Sequence, residues 1–169
     1  PKAHQIFNMS IEFYQQNADE FFSGTVNVDM SNIYQHFIKS LPANALILDA
    51  GCGSGRDTKA FLNMGYKVEA FDASSEMVTR ACIHTGTDVK LGNFVDVTDV
   101  NKYDAIWCCA SLLHMPENEL PEVLNKLATA LKPVGIWYTS FKYGDSQREK
   151  DGRLFTDVNE DRLAALVHL

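Results

Sequence analysis

The chain lacks any run of ~18 apolar residues, so no segment has the pattern of a membrane-spanning helix. It also lacks a secretory leader pattern at its start, and the expectation is a cytoplasmic protein with no membrane partner. Cationic side chains are scarce: 15 Lys and Arg stand against 22 Asp and Glu, a formal net charge of −7. Nucleic-acid phosphates are held by clustered Lys and Arg, so this balance argues against nucleic acid and for a small-molecule partner. The four cysteines, at 52, 82, 108 and 109, have neither metal-ligand spacing nor a plausible disulfide framework. They read as free thiols, with no metal site. No internal repeat, low-complexity stretch or linker rich in Pro, Gly or Ser divides the chain. With 46% hydrophobic residues over 169 positions it can bury one core, and the expected organisation is a single domain, 1–169.

What is present is concentrated in Leu46-Ile47-Leu48-Asp49-Ala50-Gly51-Cys52-Gly53-Ser54-Gly55-Arg56. A short apolar run ends in an acid, glycines follow at alternate positions, and a segment able to form a helix begins at Arg56. That order predicts a buried parallel strand, a tight turn and a helix N-terminus, the layout of a nucleotide-cofactor site. Glycine at such a turn supplies positive φ, backbone approach to a ligand, or close helix packing. The spacing, Gly-x-Gly-x-Gly directly after Asp49, differs from the Gly-x-Gly-x-x-Gly of dinucleotide sites.

A second strand, Lys67 to Asp72, ends in a carboxylate 17 residues after Gly55, close to the offset at which an acid accepts both ribose hydroxyls. Ser74 or Ser75 is a natural N-cap for the next helix. Strand ends in open α/β sheets face the ligand, which makes Cys109, Ala110 and Ser111 candidate lining residues. His114 is the only histidine at such an end. It is a candidate for orienting or deprotonating a substrate, the alternative being a loop histidine bonded locally. Arg56, at a helix start, suits a carboxylate bidentately, or is simply solvated.

On these motifs, together with Leu131-Lys132-Pro133-Val134-Gly135 at the entry to a fifth strand, the chain resembles the class I S-adenosylmethionine-dependent methyltransferases. Gly53-Ser54-Gly55-Arg56-Asp57 and Ser140-Phe141-Lys142-Tyr143-Gly144 are similar to the small bacterial tellurite-resistance-related members. The resemblance implies S-adenosylmethionine as cofactor, S-adenosylhomocysteine as product and in-line methyl transfer to a small-molecule acceptor. It implies a cofactor site built from Asp49, Gly51, Cys52, Gly53, Gly55, Arg56 and Asp72. It places Ala73, Ser74 and Met77 beside the adenine, with Asn93 and Phe94 against its amino group and ring. Cys109, Ala110 and Ser111 then line the methionine arm. Met77 as core and Asn93 as a turn residue stay open as alternatives. Phe13 to Phe22 resembles an N-terminal lid, with Tyr14 reaching the cofactor or packing on the sheet. His114 and Tyr14 are the candidate catalytic residues. Rival readings are a non-catalytic S-adenosylmethionine-binding module and a nicotinamide-dependent oxidoreductase.

Periodicity predicts helices over 4–22 (apolar at Ile6, Phe7, Ile11, Tyr14, Phe21 and Phe22) and 31–41, then alternating strands and helices to a last helix over 158–168. Alternation predicts a Rossmann-like, doubly wound, mostly parallel α/β sheet. By resemblance its strand order is 3-2-1-4-5, with a helical lid over 1–42 and the core over 43–169. The chain begins at Pro1 and stops at Leu169, so strands six and seven are expected to be absent through truncation; the alternative is a minimal domain using a homodimer contact at the strand-five edge. The charges of Lys142 to Arg153 suggest an anionic or metalloid acceptor, or a solvated loop whose charges cancel.

Overall fold

Every second residue of a strand faces the same side, and the sheet is built on that alternation. In β1 (Leu46–Ala50), Ile47 and Asp49 point to one face and Leu48 and Ala50 to the other, and the strand is buried from Ile47 onward. The computed structural model describes the backbone of residues 2–167 and the side chains of residues 8–167. It shows a parallel five-stranded sheet in the order β3-β2-β1-β4-β5, with β2 Lys67–Asp72, β3 Lys90–Leu91, β4 Tyr103–Cys108 and β5 Leu131–Thr139.

One face carries Ile47, Ala105 and Trp107 against Tyr34 and Phe37 of α3 (Ser31–Ile38) and Phe61 of α4 (Arg56–Asn63). Trp107 is fully buried, stacks on Tyr138 at 4.0 Å between centroids and meets Phe37 and Phe61 edge-on. Such offset and T-shaped pairs add to area burial because ring edges and faces carry opposite partial charge. The other face packs Leu48, Ala50, Ile106 and Cys108 against Leu120, Val123, Leu124 and Leu127 of α6 (Leu120–Ala130). The fifth helix in order, α5 (Ser75–Thr85), covers Ala70 through Ala81.

Two details differ from the sequence reading. The helix expected over 4–22 is two, α1 (Lys2–Gln16) and α2 (Ala18–Thr25), broken at Asn17, whose side-chain amide donates to the Phe13 carbonyl. The side chains of Ile6 and Phe7 lie outside the described residues, as does the last residue of the helix expected over 158–168, which is α7 (Glu160–Val167). The expected absence of strands six and seven is overturned. Both are present, as an antiparallel pair, β6 (Gln147–Lys150) and β7 (Arg153–Thr156), before α7 rather than after it. They form a separate two-stranded sheet. Asp151 and Gly152 take positive φ (52° and 72°), the conformation a two-residue hairpin turn demands, and it is this turn that the sequence reading treated as a charged loop.

Candidate functional site

The β1–α4 turn is held open by backbone conformation. Gly51, Gly53 and Gly55 have φ of 76°, 54° and 78°. A Cβ on Gly51 would sit 2.5 Å from the Ser111 Cβ, and one on Gly55 would sit 2.7 Å from Thr85 of α5. These two glycines let neighbouring elements close up. Gly53 differs: a Cβ there would meet no backbone, only the Phe21 ring at 3.2 Å, and its bare backbone borders the space beside that ring.

That space is a cavity of about 340 Å³ at the carboxyl ends of the strands. Gly51, Cys52, Gly53 and Arg56 line it from the turn, and Asp72, Ala73 and Met77 from the end of β2 and the start of α5. Asn93 and Phe94 line it after β3, and Cys109, Ala110, Ser111 and His114 after β4. Tyr14 closes it from α1. Of the residues singled out from sequence, Asp49, Gly55 and Ser74 do not reach the wall. Asp49 is 1% exposed and accepts from the Thr58 hydroxyl behind the turn; Ser74 caps α5 and bonds to Gln15.

Asp72 is prepared to receive hydrogen bonds. Its two oxygens accept backbone N–H groups from Gly53 at 2.8 Å and Ser74 at 2.9 Å, with that of Ala73 beside them, and a carboxylate's roughly four acceptor sites leave capacity for a ligand. Burial raises its pKa, and the backbone N–H groups work the other way. Burial also raises Asp49, with the Asp57 charge adding to it.

Arg56 is not a free cation. Its Nε and Nη2 donate to the two oxygens of Asp57, at 2.7 and 3.0 Å, and Nη2 also lies 3.6 Å from the Cys109 sulfur. Asp57 in turn accepts from the Tyr34 hydroxyl and from Trp107 Nε1 at 2.8 Å. The guanidinium is thereby fixed at the cavity wall with part of its donor set unused.

Tyr14 and His114 form a pair. The Tyr14 oxygen lies 2.7 Å from His114 Nε2, and His114 Nδ1 lies 2.7 Å from the Leu154 carbonyl oxygen. A carbonyl only accepts, so Nδ1 carries the proton and Nε2 accepts from Tyr14. Burial lowers the His114 pKa to about 4; the Leu154 bond opposes this and the Arg153 charge adds to it. Burial raises the Tyr14 pKa, with the nearby Arg153 acting against the rise. Folded His114 therefore protonates near 4, against 6.5 for an unperturbed imidazole, and the unfolded chain binds more protons in that window. Stability is expected to fall as pH drops from 6.5 to 4, by up to about 3 kcal/mol from this residue, and to lose no more from it below 4. Urea titrations across that range should show the extra slope in the native protein and not in His114→Gln.

Phe21, Asp57 and Phe155 are among the lining residues given no site role from sequence, whereas Arg153 belongs to the charged segment 142–153 read there as facing an anionic acceptor. Gln15 escaped too, although its side-chain oxygen accepts from the Glu76 backbone N–H at 2.9 Å and ties α1 to the start of α5. Asp57 follows the glycine turn directly on α4, whereas Gln15 on α1, Phe21 on α2 and Phe155 on β7 come in only where those elements meet the strand ends.

A sequence model of the methyltransferase domain family matches residues 47–135, more than half of the chain. The chain belongs to this family. The ubiquinone biosynthesis O-methyltransferase of Xanthomonas axonopodis pv. citri is 29% identical over 106 residues, 59% of this chain and 44% of the relative's length. The N-terminal Xaa-Pro-Lys N-methyltransferase 1 of Xenopus tropicalis is 27% identical over 125 residues, 65% of this chain and 56% of its own. This methyltransferase chain thus spans about half the length of the curated relatives it matches. Burkholderia thailandensis 1,6-didemethyltoxoflavin-N1-methyltransferase, solved with 1,6-didemethyltoxoflavin and S-adenosylhomocysteine bound, superposes with a TM-score of 0.80 at 22% identity. That comparison covers 98% of this methyltransferase and 77% of the other chain, and at this identity it concerns the fold.

Proposed function

We propose that the protein transfers the methyl group of S-adenosylmethionine to a small-molecule acceptor bound in the same cavity. S-adenosylmethionine is the cofactor, and it supplies an activated methyl carbon on a sulfonium. The residues suit it: the bare Gly53 backbone opens onto the space a Cβ would occupy, and Asp72 keeps free lone pairs beside it. In this reading Asp72 accepts the ribose hydroxyls, while Ala73, Met77, Asn93 and Phe94 enclose the adenine. Arg56 offers its unused N–H groups to the carboxylate, and Cys109, Ala110 and Ser111 flank the methionine arm. Asp49, Gly55 and Ser74 support the wall from behind. We group the protein with the small tellurite-resistance-related enzymes on the strength of residues 53–57 and 140–144.

The chain's own task is to align donor and acceptor and keep water out, because displacement at an activated carbon is governed by proximity and orientation. The lid does this through Tyr14 and through the Gln15 clamp on α5. With its proton committed to His114, Tyr14 presents oxygen lone pairs to the cavity, and the neutral His114 behind it is a proton acceptor.

The observation that carries the reading is the joining, in one cavity, of Asp72 and the glycine turn with the Tyr14–His114 pair. Calorimetry with S-adenosylhomocysteine, followed by transfer of labelled methyl to a panel of hydroxyl, amine, thiol and metalloid acceptors, tests it. Binding with turnover on at least one acceptor is expected. Binding without turnover across the panel would make the protein a binding module, and no binding would remove the reading altogether.

A further inference from the structure

The arginines of this protein fall into two groups. Four are paired with carboxylates: Arg56 with Asp57, Arg80 with Asp19 and Glu76, Arg148 with Asp157 at 2.5 Å, and Arg162 with Glu117. Arg153 is different. Its nearest carboxylate is Asp151, at 4.0 Å and well exposed, and its Nε is buried without a hydrogen-bond partner among the described residues. The guanidinium is held by rings instead, 4.3 Å from the Phe13 centroid and 5.2 Å from that of Phe155. Rings hold the plane of the cation without neutralising its N–H edge. Arg153 also lines the cavity, and so does a second cation, Lys142, from the segment after β5.

A guanidinium with the neutral Tyr14 hydroxyl beside it but no carboxylate nearer than 4.0 Å, pre-positioned in a cavity and partly withdrawn from water, is a costly arrangement unless an anion completes it. A fork of N–H donors matches a planar or tetrahedral oxyanion bidentately. We propose that Arg153, assisted by Lys142, is the anion-binding end of the acceptor subsite, and that the methyl acceptor carries a carboxylate or phosphate-type oxyanion. The inference rests on the methyl-transfer reading for the word acceptor, but the anion site itself does not. It narrows the charge expectation for residues 142–153: Arg148 is committed to Asp157 and is absent from the cavity wall, so it takes no part. The position of Arg153 beside Tyr14 and His114 sets the acceptor against the proton-accepting pair.

Inorganic phosphate serves as the probe, titrated by calorimetry into the protein saturated with S-adenosylhomocysteine. Phosphate is expected to bind, with affinity reduced tenfold or more in Arg153→Gln, less in Lys142→Gln, and unchanged in Arg148→Gln. Arg153→Lys keeps the charge and the fold and should fall between. S-adenosylhomocysteine affinity should stay within twofold of the native value in every variant. No phosphate binding by the native protein, or native affinity in folded Arg153→Gln and Arg153→Lys, overturns the proposal. A loss of S-adenosylhomocysteine affinity in Arg153→Lys overturns it as well, by assigning the cation to the cofactor. Failure of the native protein to bind S-adenosylhomocysteine while binding phosphate through Arg153 would sink the methyl-transfer reading and leave the anion site standing.

Discussion

Replacing Asp72 with alanine is expected to weaken S-adenosylhomocysteine binding by about 1.5–3 kcal/mol, roughly tenfold to a hundredfold, the range for hydrogen bonds to a charged group. The loss comes from two sources. The variant forfeits the lone pairs proposed to accept from the ribose. It also releases the Gly53 and Ser74 backbone N–H groups, which hold the glycine turn against the end of β2. Asp72→Asn retains an acceptor oxygen at similar volume and should lose less. Calorimetric titration decides the matter: unchanged affinity in a folded Asp72→Ala protein would place the ribose elsewhere.

Asp57→Ala is expected to be the most destabilising single change at the site, by about 3–5 kcal/mol, because it leaves a charge without its partner inside the protein. Arg56, the Tyr34 hydroxyl and Trp107 Nε1 all donate to this one carboxylate, which is 5% exposed. Removing it strands two neutral donors as well as the guanidinium, and each unsatisfied buried donor adds its own desolvation cost. Asp57→Asn keeps an acceptor and should cost less. Urea unfolding with an unchanged m-value would report the effect as stability alone. A loss under about 1 kcal/mol in Asp57→Ala would mean that water replaces the carboxylate and that Arg56 is not fixed by it.

The parts of this architecture legible in one dimension were those with local causes. Short apolar runs marked β1 and β4, the Ser74 cap marked the start of α5, and glycines at 51, 53 and 55 marked a turn of positive φ. Asp72 was legible because its distance along the chain from the turn is set by the length of one βαβ unit. Asp57 was passed over because a carboxylate in a first helical turn looks like a response to the helix dipole. Only the packing of α3 and β4 against α4 shows that it gathers three donors. The β6–β7 hairpin was misread for a related reason: its turn is the Asp-Gly of a two-residue hairpin, Asp151-Gly152, but β6 before it is mostly charged and exposed, so no alternating apolar run framed the turn as one.

By itself, then, the sequence determined the sheet order's raw material, the cavity-lining turn and the acid opposite it, since each depends on residues within one or two neighbouring elements. The tertiary structure alone decided which cations are free. Five arginines look alike along the chain, and their charges are equal. Whether a guanidinium is neutralised depends on which carboxylate folding brings within about 3 Å, a distance over which the Coulomb and hydrogen-bond energies change steeply. It likewise decided that Tyr14, 100 positions away from His114, bonds to it, because α1 and the strand ends meet only in the folded domain.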